Sequence, residues 1–511
     1  RAGTVFLARD VMGVKPLYYR ADEYGVFFAN TAAAYKPLRL GSLTRSQEWM
    51  AKFLLEISAS HTETAYKEIK KLAGAHCLLI HINGRMNLRR YHQFVDDAPA
   101  ERKRNPIYLE AYRAAWQEAV ACRLPTSCDI GTENSGGLDS GSITSEIARQ
   151  LDRDVGRLHA LGFCHERLEP ALIMASAMKY GIHHNFLVSR IGLYDFAEIQ
   201  PREIELSGYP SEHSNASYHM PFYTYCTQNK ISILFSGFGG DEAVTTEWSQ
   251  FRSEFLRDGN YEALWRILPG HPWLKPARLI KALMFGPAVL SQQEAEKAYW
   301  HQTWPYQIIR DDLVSNFSLQ KLYFSAAKFH KEAFSVNEYV LYMIQRGYAP
   351  VRLEACTAMA SSYGIDYVWP LWDQRLIQQW LSTPSIWKVG NQGQDRYLHR
   401  AAVTGVCPDE VAWHRYKDMG FSAVETELNR RSLVDDYRKL ESLLRTMPSE
   451  LERIIDIDKA FSDTSSGIEQ DRRGISEGAS LTTHIERISA LTKWIEYDRG
   501  VFETVKLSQQ L

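Results

Sequence analysis

The sequence predicts an α/β chain: a doubly wound parallel sheet with a large helical C-terminal part, preceded by an antiparallel, β-rich piece. Three observations carry this prediction. Apolar runs at 158–164, 184–189 and 231–235 alternate with helix-period segments at 141–151 and 169–180, as in parallel strands joined by crossover helices. Two glycine-rich loops, Ser135–Ser140 and Ser236–Glu242, each follow a short strand of this series. Before residue 95 the pattern is different, with short strands and tight turns but little helical period.

In chain order, Thr4–Ala8 reads as a strand, and Asp10, Gly13 and Pro16 supply the turn that follows. The β pattern resumes at Leu17–Tyr19 and Val26–Ala29. Residues 77–92 read as two strands about a hairpin turn at Asn83-Gly84. Asp96–Pro106, charged and holding two prolines, is expected to be a linker. A 3.6-residue stripe (Tyr108, Tyr112, Trp116, Val120) then marks a helix leading to a strand near Ile130. From about 250 onward the chain reads almost entirely helical, with a polar, Gly-containing loop at 464–481 before a last helix.

Composition narrows the function classes. A chain of 511 residues has room for roughly two to four domains. Hydrophobic residues at 45% and charged residues at 23% are ordinary for a globular protein. A formal net charge of -2 points to neither a nucleic acid nor a membrane surface as partner. No run of about 18 apolar residues is present to span a bilayer. The seven cysteines are scattered without zinc-ligand spacing, which favours reduced thiols and a cytoplasmic location.

Chemistry is concentrated in the two loops. In Ser135-Gly136-Gly137-Leu138-Asp139-Ser140 the glycines let backbone amides approach phosphate oxygens, and Ser135 and Ser140 add hydroxyl donors. The helix that follows offers its positive end to an anion, worth about 0.3–1 kcal/mol. Asp139 would repel phosphate, so its natural role is to hold Mg²⁺ against it. Ser236-Gly237-Phe238-Gly239-Gly240-Asp241-Glu242 repeats the design, with Ser236, Gly237, Gly239 and Gly240 for phosphate and Asp241 as a second metal ligand. Either loop alone could be a helix-capping turn; two on neighbouring strand ends form a ligand edge.

These loops and their spacing resemble the asparagine synthetase family of ATP pyrophosphatases (the PP-loop type), whose relatives include lasso-peptide cyclases and β-lactam synthetases. Further segments are similar. Glu169, Ala177, Gly181 and His184 match a stretch near the nucleotide; Gly364–Asp373 resembles the family's Gly-(Ile/Val)-Glu-x-Arg-x-Pro-x-x-Asp segment; Arg415-Tyr416-Lys417, then Gly420-Phe421, matches an Arg-x-Lys-x-Gly-Phe element with one extra residue. Ala8–Tyr19 and Leu72–His76 resemble parts of the glutaminase domain of these enzymes.

The resemblance implies an organisation: residues 1–95 as the C-terminal part of a class II glutaminase-like domain, 96–106 as linker, 107–425 as the ATP-pyrophosphatase synthetase domain and 426–511 as a helical extension. Arg1 leads straight into a strand, so the start of the first domain, with its catalytic cysteine, is expected upstream. It also implies a reaction in which ATP and Mg²⁺ convert a carboxylate into an acyl-adenylate, which ammonia, from glutamine or free, or an amine then attacks. Lys417 would meet the developing oxyanion and Asp366 would handle the amine's proton. The carboxylate is aspartate by default, with a small molecule or peptide as the open alternative.

Departures from the family pattern keep two other readings in play. Asp366 stands where a glutamate is usual, Glu133 and Asn134 replace an apolar strand end, Asn30-Thr31 replaces Ser-Glu, and Ala243-Val244-Thr245-Thr246 replaces Phe-Gly-Gly. A cyclase forming an intramolecular amide, or a nucleotide-binding regulator without catalysis, would accommodate them. The acceptor and the oligomeric state are not encoded in any pattern of this sequence.

Overall fold

The computed structural model describes residues 3–23, 25–38, 43–57, 61–163, 169–187, 196–212, 216, 219–246, 251–285, 308–323, 335–414, 438–461 and 479–499. Lys417 with its flanking Arg415 and Gly420-Phe421, and residues 464–478, lie outside these.

The N-terminal segment folds as two small antiparallel sheets. Strand β1 (Thr4–Ala8) pairs with β5 (His76–His81), which pairs in turn with β6 (Met86–Arg90) across the predicted Asn83-Gly84 turn. There Gly84 takes a positive φ of 79°, the left-handed conformation a hairpin turn demands. The second sheet runs β3 (Gly25–Ala29), β2 (Tyr18–Asp22), β4 (Lys70–Lys71). The β-rich expectation overlooks β4 and two helical elements, a 3-10 helix at Ala32–Leu38 and the α-helix Gln47–Leu54, whose N-cap Ser46 accepts a hydrogen bond from Trp49 N.

Residues 91–105 carry no regular structure, and the helix Pro106–Ala121 then starts where the stripe predicts. Asn105 caps it by accepting from Ile107 N, and Pro106 presets its first turn, a pair of signals worth about 1 kcal/mol. Tyr112, Trp116 and Val120 are fully buried, as the spacing requires.

The central sheet has five parallel strands in the order β11-β10-β7-β8-β9. They are β7 (Ile130–Glu133), β8 (Leu158–Phe163), β9 (His183–Leu187), β10 (Ile233–Phe235) and β11 (Asp366–Val368). The chain winds outward from β7 through β8 to β9, then returns to place β10 on the other side of β7. The order therefore reverses between β7 and β10, and a crevice opens there beyond the carboxyl ends of the strands.

Several details differ from expectation. The helix expected at 141–151 spans Leu138–Leu151, starting inside the first glycine loop. The strand expected at 231–235 begins at Ile233. Strand β11 interrupts the region read as helical from 250 onward. A three-residue strand has no visible alternation, yet its pairing with β10 makes β10 an interior strand.

A large apolar core lies around the central sheet, with Trp116, Tyr223, Phe235, Tyr367 and Trp372 among its bulkiest members. A second core joins distant parts of the chain. Trp49, Met50, Leu54 and Tyr66 of the N-terminal segment pack with Leu444, Leu451 and Ile455 and with Ile488, Leu491 and Trp494 of the helix Ala479–Asp498. Trp494 Nε1 donates to Tyr66 Oη at 3.0 Å. No helix among the described residues is long and apolar enough to cross a membrane.

Candidate active site

The first glycine loop leaves β7 at Glu133 and enters its helix at Leu138. Asn134 fixes the turn: it is buried, its Nδ2 donates to Ile173 O at 3.3 Å, and its Oδ1 accepts from Gly136 N at 3.3 Å. Gly136 has φ 76°, and a Cβ built there would lie 2.8 Å from Leu172 Cβ and 3.0 Å from Ile173 N. Ser140 Oγ accepts from Ser135 N at 3.1 Å and lies 3.0 Å from Ser135 Oγ, so the two serines close the loop on itself. The N-cap is Gly137, which has no side chain to spend on the first-turn amides. Those amides keep their donor capacity for an anion.

The second loop leaves β10 at Phe235 and lies against the first. A Cβ on Gly237 would fall 2.5 Å from Ser140 N, and one on Gly240 would fall 2.5 Å from Asp139 Cγ. At Gly237 the near atoms are backbone, so only glycine permits the approach there, whereas at Gly240 they belong to the Asp139 carboxylate. Gly239 takes φ 100° against Trp372, and Glu242 Oε2 accepts from Gly239 N at 3.1 Å. The chain then makes one wide turn, with Thr245 N donating to Gly240 O at 2.8 Å. Burial raises the Glu242 carboxyl, opposed by Arg352, whose Nη1 is 4.0 Å from Glu242 Oε1.

The loops bring the two predicted metal ligands to one cation. Arg396 Nη2 lies 2.5 Å from Asp241 Oδ1, and its Nη1 lies 3.5 Å from Asp139 Oδ2. Thr245 Oγ1 donates to Asp139 Oδ1 at 2.7 Å. Arg396 adopts a left-handed backbone (φ 54°), which costs an L-residue roughly 1–2 kcal/mol, and its side chain is only 6% exposed. The two carboxylates thus form one site that takes a positive charge. Among the described residues no group of three His, Cys, Asp or Glu side chains could hold a metal ion. Two carboxylates are nonetheless the donor set with which Mg²⁺ is usually held against substrate phosphates, so the residues fit that ion.

The remaining predicted residues are placed apart. Asp366 begins β11, is 57% exposed, and pairs with Lys15 of the N-terminal segment at 2.7 Å. Asp373 caps the helix Gln374–Leu381 and pairs with Arg123 at 2.8 Å and Arg375 at 2.9 Å. Burial alone would raise its carboxyl, but the two arginines hold it at about 2. His184 on β9 is half-buried, and burial lowers it to about 4. A Cβ on Gly162 would sit 3.3 Å from its ring, and neither ring nitrogen has a hydrogen-bond partner among the described residues.

Sequence reasoning misses Arg396, Arg352, Tyr367 and His219. None lies in a loop of distinctive composition. Thr245 and Glu133 appear in the sequence only as departures from pattern, and the structure gives both of them polar contacts at this edge.

The N-terminal segment docks on the central sheet domain through a buried ion cluster. Glu354 receives Arg9 Nη2 at 2.6 Å and Lys71 Nζ at 2.9 Å, all three side chains being almost fully buried. Burial would raise Glu354, yet Lys71 and Arg9 together bring it below the usual carboxylate range. Glu354 and Arg352 are carried by one helix, Tyr348–Ser362.

Comparison with known proteins gives three matches. The asparagine synthase family model matches residues 111–472, more than two thirds of the chain. A glutamine amidotransferase domain model matches residues 1–92. A protein of Methanocaldococcus jannaschii described as an asparagine synthetase of the glutamine-hydrolysing kind is 25% identical over 272 residues. That alignment covers 50% of this chain and 50% of the relative, so the chain spans about half the length of the curated protein it matches.

Proposed function

This chain belongs to the asparagine synthase family, and on that premise we propose that it is an ATP-dependent amide synthetase that forms AMP and pyrophosphate. The observation that carries the reading is the contact between the two glycine loops, with Asp139 and Asp241 converging on one cation. Phosphates fit such a pair of loops; the amides and hydroxyls of Ser135, Gly136, Gly137 and Ser140 would receive the leaving pyrophosphate, with Ser236, Gly237, Gly239 and Gly240 opposite. Asp139 and Asp241 would hold Mg²⁺, which when bound neutralises phosphate charge. The fold is then of the PP-loop type.

A carboxylate is a poor acyl donor, because its oxide is a hopeless leaving group. Transfer of AMP to it gives a mixed anhydride, and an amine displaces AMP through a tetrahedral oxyanion. By family resemblance Lys417 faces that oxyanion, a contribution typically of about 3–4 kcal/mol. Asp366 takes the amine's proton by the same resemblance, once it has left Lys15. Aspartate is the default carboxylate, and the amidotransferase match at 1–92 favours glutamine-derived ammonia as nitrogen donor.

The test is product identity. Incubation of the protein with ATP, aspartate and an ammonium salt should release AMP and pyrophosphate; ADP and phosphate would refute the reading. A second reading, intramolecular amide formation by a cyclase, is favoured by Asp366 in place of glutamate. It would be rejected by formation of free asparagine. Substitution Lys417→Ala should abolish turnover while nucleotide still binds, whereas a nucleotide-binding regulator would lose nothing.

A further inference from the structure

Glu133 stands at the end of β7, two residues before the phosphate loop, where an apolar residue would pack better. Parallel strands in register share faces, and Leu234 pairs with both Gly131 and Tyr367. Glu133 and Tyr367 therefore project from the same face of the sheet. The Tyr367 hydroxyl donates to Glu133 Oε1 and lies 2.9 Å from His219 Nδ1. His219, just ahead of the helix Met220–Gln228, has the same nitrogen 3.3 Å from Glu133 Oε1. Tyr367 is buried, while the side chains of Glu133 and His219 are 14% and 17% exposed, so the carboxylate remains reachable.

The electrostatics of this trio are incomplete. Burial, helped by the charge of Arg352, holds His219 below its usual range despite the neighbouring Glu133, and burial pushes the Tyr367 phenol well up, so both are neutral near pH 7. Among the described residues no lysine or arginine forms an ion pair with Glu133; Arg352 instead pairs with Glu242 and covers the Phe238 ring at 4.1 Å. Its two hydrogen-bonding partners are thus neutral, and among the described residues no cation is directly paired with this partly exposed carboxylate, although buried carboxylates normally have one. A second polar group nearby is also unmatched: Tyr223 Oη is buried with no hydrogen-bond partner among the described residues, its ring centroid 5.9 Å from that of Tyr367. The missing piece must be compact, positively charged and a hydrogen-bond donor, which describes a primary ammonium.

We propose that Glu133, held in place by Tyr367 and His219, anchors the primary ammonium group of a substrate beside the phosphate-binding loop. This rests on the amide-synthetase reading and names a chemical feature of its substrate. The ammonium belongs either to an amino acid whose carboxylate is activated or to the amine that attacks. Tyr367 and His219 act as positioning residues, fixing which carboxylate oxygen faces the ligand.

The experiment uses the full chain and the isosteric substitution Glu133→Gln. ATP–pyrophosphate exchange is measured with the twenty amino acids and with succinate, which is aspartate without its amine. AMP release is then followed against methylamine and ammonium concentration. If the acid carries the ammonium, Glu133→Gln raises its half-saturating concentration in exchange by about 30-fold or more, and wild type prefers aspartate to succinate. If the attacking amine carries it, exchange is unchanged and the amine concentration needed rises by the same factor. Tyr367→Phe, which removes one oxygen, should give a smaller shift in the same quantity, about 3–10-fold, and carries the test should Glu133→Gln fail to fold. Wild-type values for both acid and amine in both variants would overturn the proposal. A wild-type chain with no exchange for any acid would instead overturn the synthetase reading, and the proposal with it.

Discussion

Arg396 reaches Asp241 at 2.5 Å, Nη2 to Oδ1, across the crevice where the two glycine loops meet. The same guanidinium extends towards Asp139, so this arginine and a bound cation compete for one pair of carboxylates. Substitution Arg396→Met should remove this guanidinium from the pair of carboxylates and so favour the ion there. Half-saturation by Mg²⁺ in ATP–pyrophosphate exchange should then shift several-fold downward at low ionic strength. An unchanged or higher half-saturating Mg²⁺ concentration would show that Arg396 does not compete.

Gly237 sets the spacing of the loops against backbone. The nearest atoms to a Cβ there are Ser140 N at 2.5 Å and Ser140 Cα at 2.8 Å, and neither can swing aside. Gly237→Ala should cost roughly 1–3 kcal/mol of stability by overpacking and lower ATP affinity together with Tm. Thermal melts with and without ATP would report both. A variant with normal Tm and normal ATP stabilisation would mean the loops can part freely.

His399 links stability to pH. It is buried, accepting or donating to Tyr112 Oη at 2.9 Å and Ser142 Oγ at 3.0 Å, and burial, with Arg396 and Arg400, lowers it to about 3. In the unfolded chain it protonates near pH 6.5. The unfolded state thus binds the extra proton between about pH 6.5 and 3, and stability from this group falls as pH drops through that window. From pH 7 to pH 5 the loss is about 2 kcal/mol. Urea denaturation of wild type and His399→Gln at both pH values checks this: the gap between the two pH values should narrow in the variant.

Glu354 is the counter-charge of two buried cations. Glu354→Gln leaves Arg9 and Lys71 together without it, which for broken buried pairs costs about 3–5 kcal/mol. The expected result is a large fall in Tm or loss of soluble protein. By contrast, Lys15→Ala removes only an exposed pair with Asp366 and should change stability by less than about 1 kcal/mol.

Much of this architecture is legible in the sequence because local signals agree. The Tyr112–Trp116–Val120 stripe and the β7 and β10 loops each carry their own chemistry, and each is found in place, whereas the Asn105-Pro106 start falls within the segment read as linker. What escapes is whatever depends on register across the chain. Strand β11 is too short to alternate, and only its pairing with β10 defines it. Arg396 sits in an ordinary polar stretch, and only the fold brings it to Asp139 and Asp241. Glu133 is visible in the sequence only as a misfit, because Tyr367 and His219, which give it a purpose, lie 234 and 86 residues away. The C-terminal segment likewise shows no sign, residue by residue, that it shares a core with the N-terminal one.

That shared core imposes a timetable on synthesis. Tyr66 leaves the ribosome 428 residues before the Trp494 it bonds to. At roughly 5–20 residues per second the interval is about 20–90 seconds. Throughout it Trp49, Leu54 and Tyr66 have no partner from the far end of the chain, while the central sheet, complete at Val368, can already assemble. The N-terminal core is therefore completed only when the last helix has been made, after every strand of the central sheet has left the ribosome.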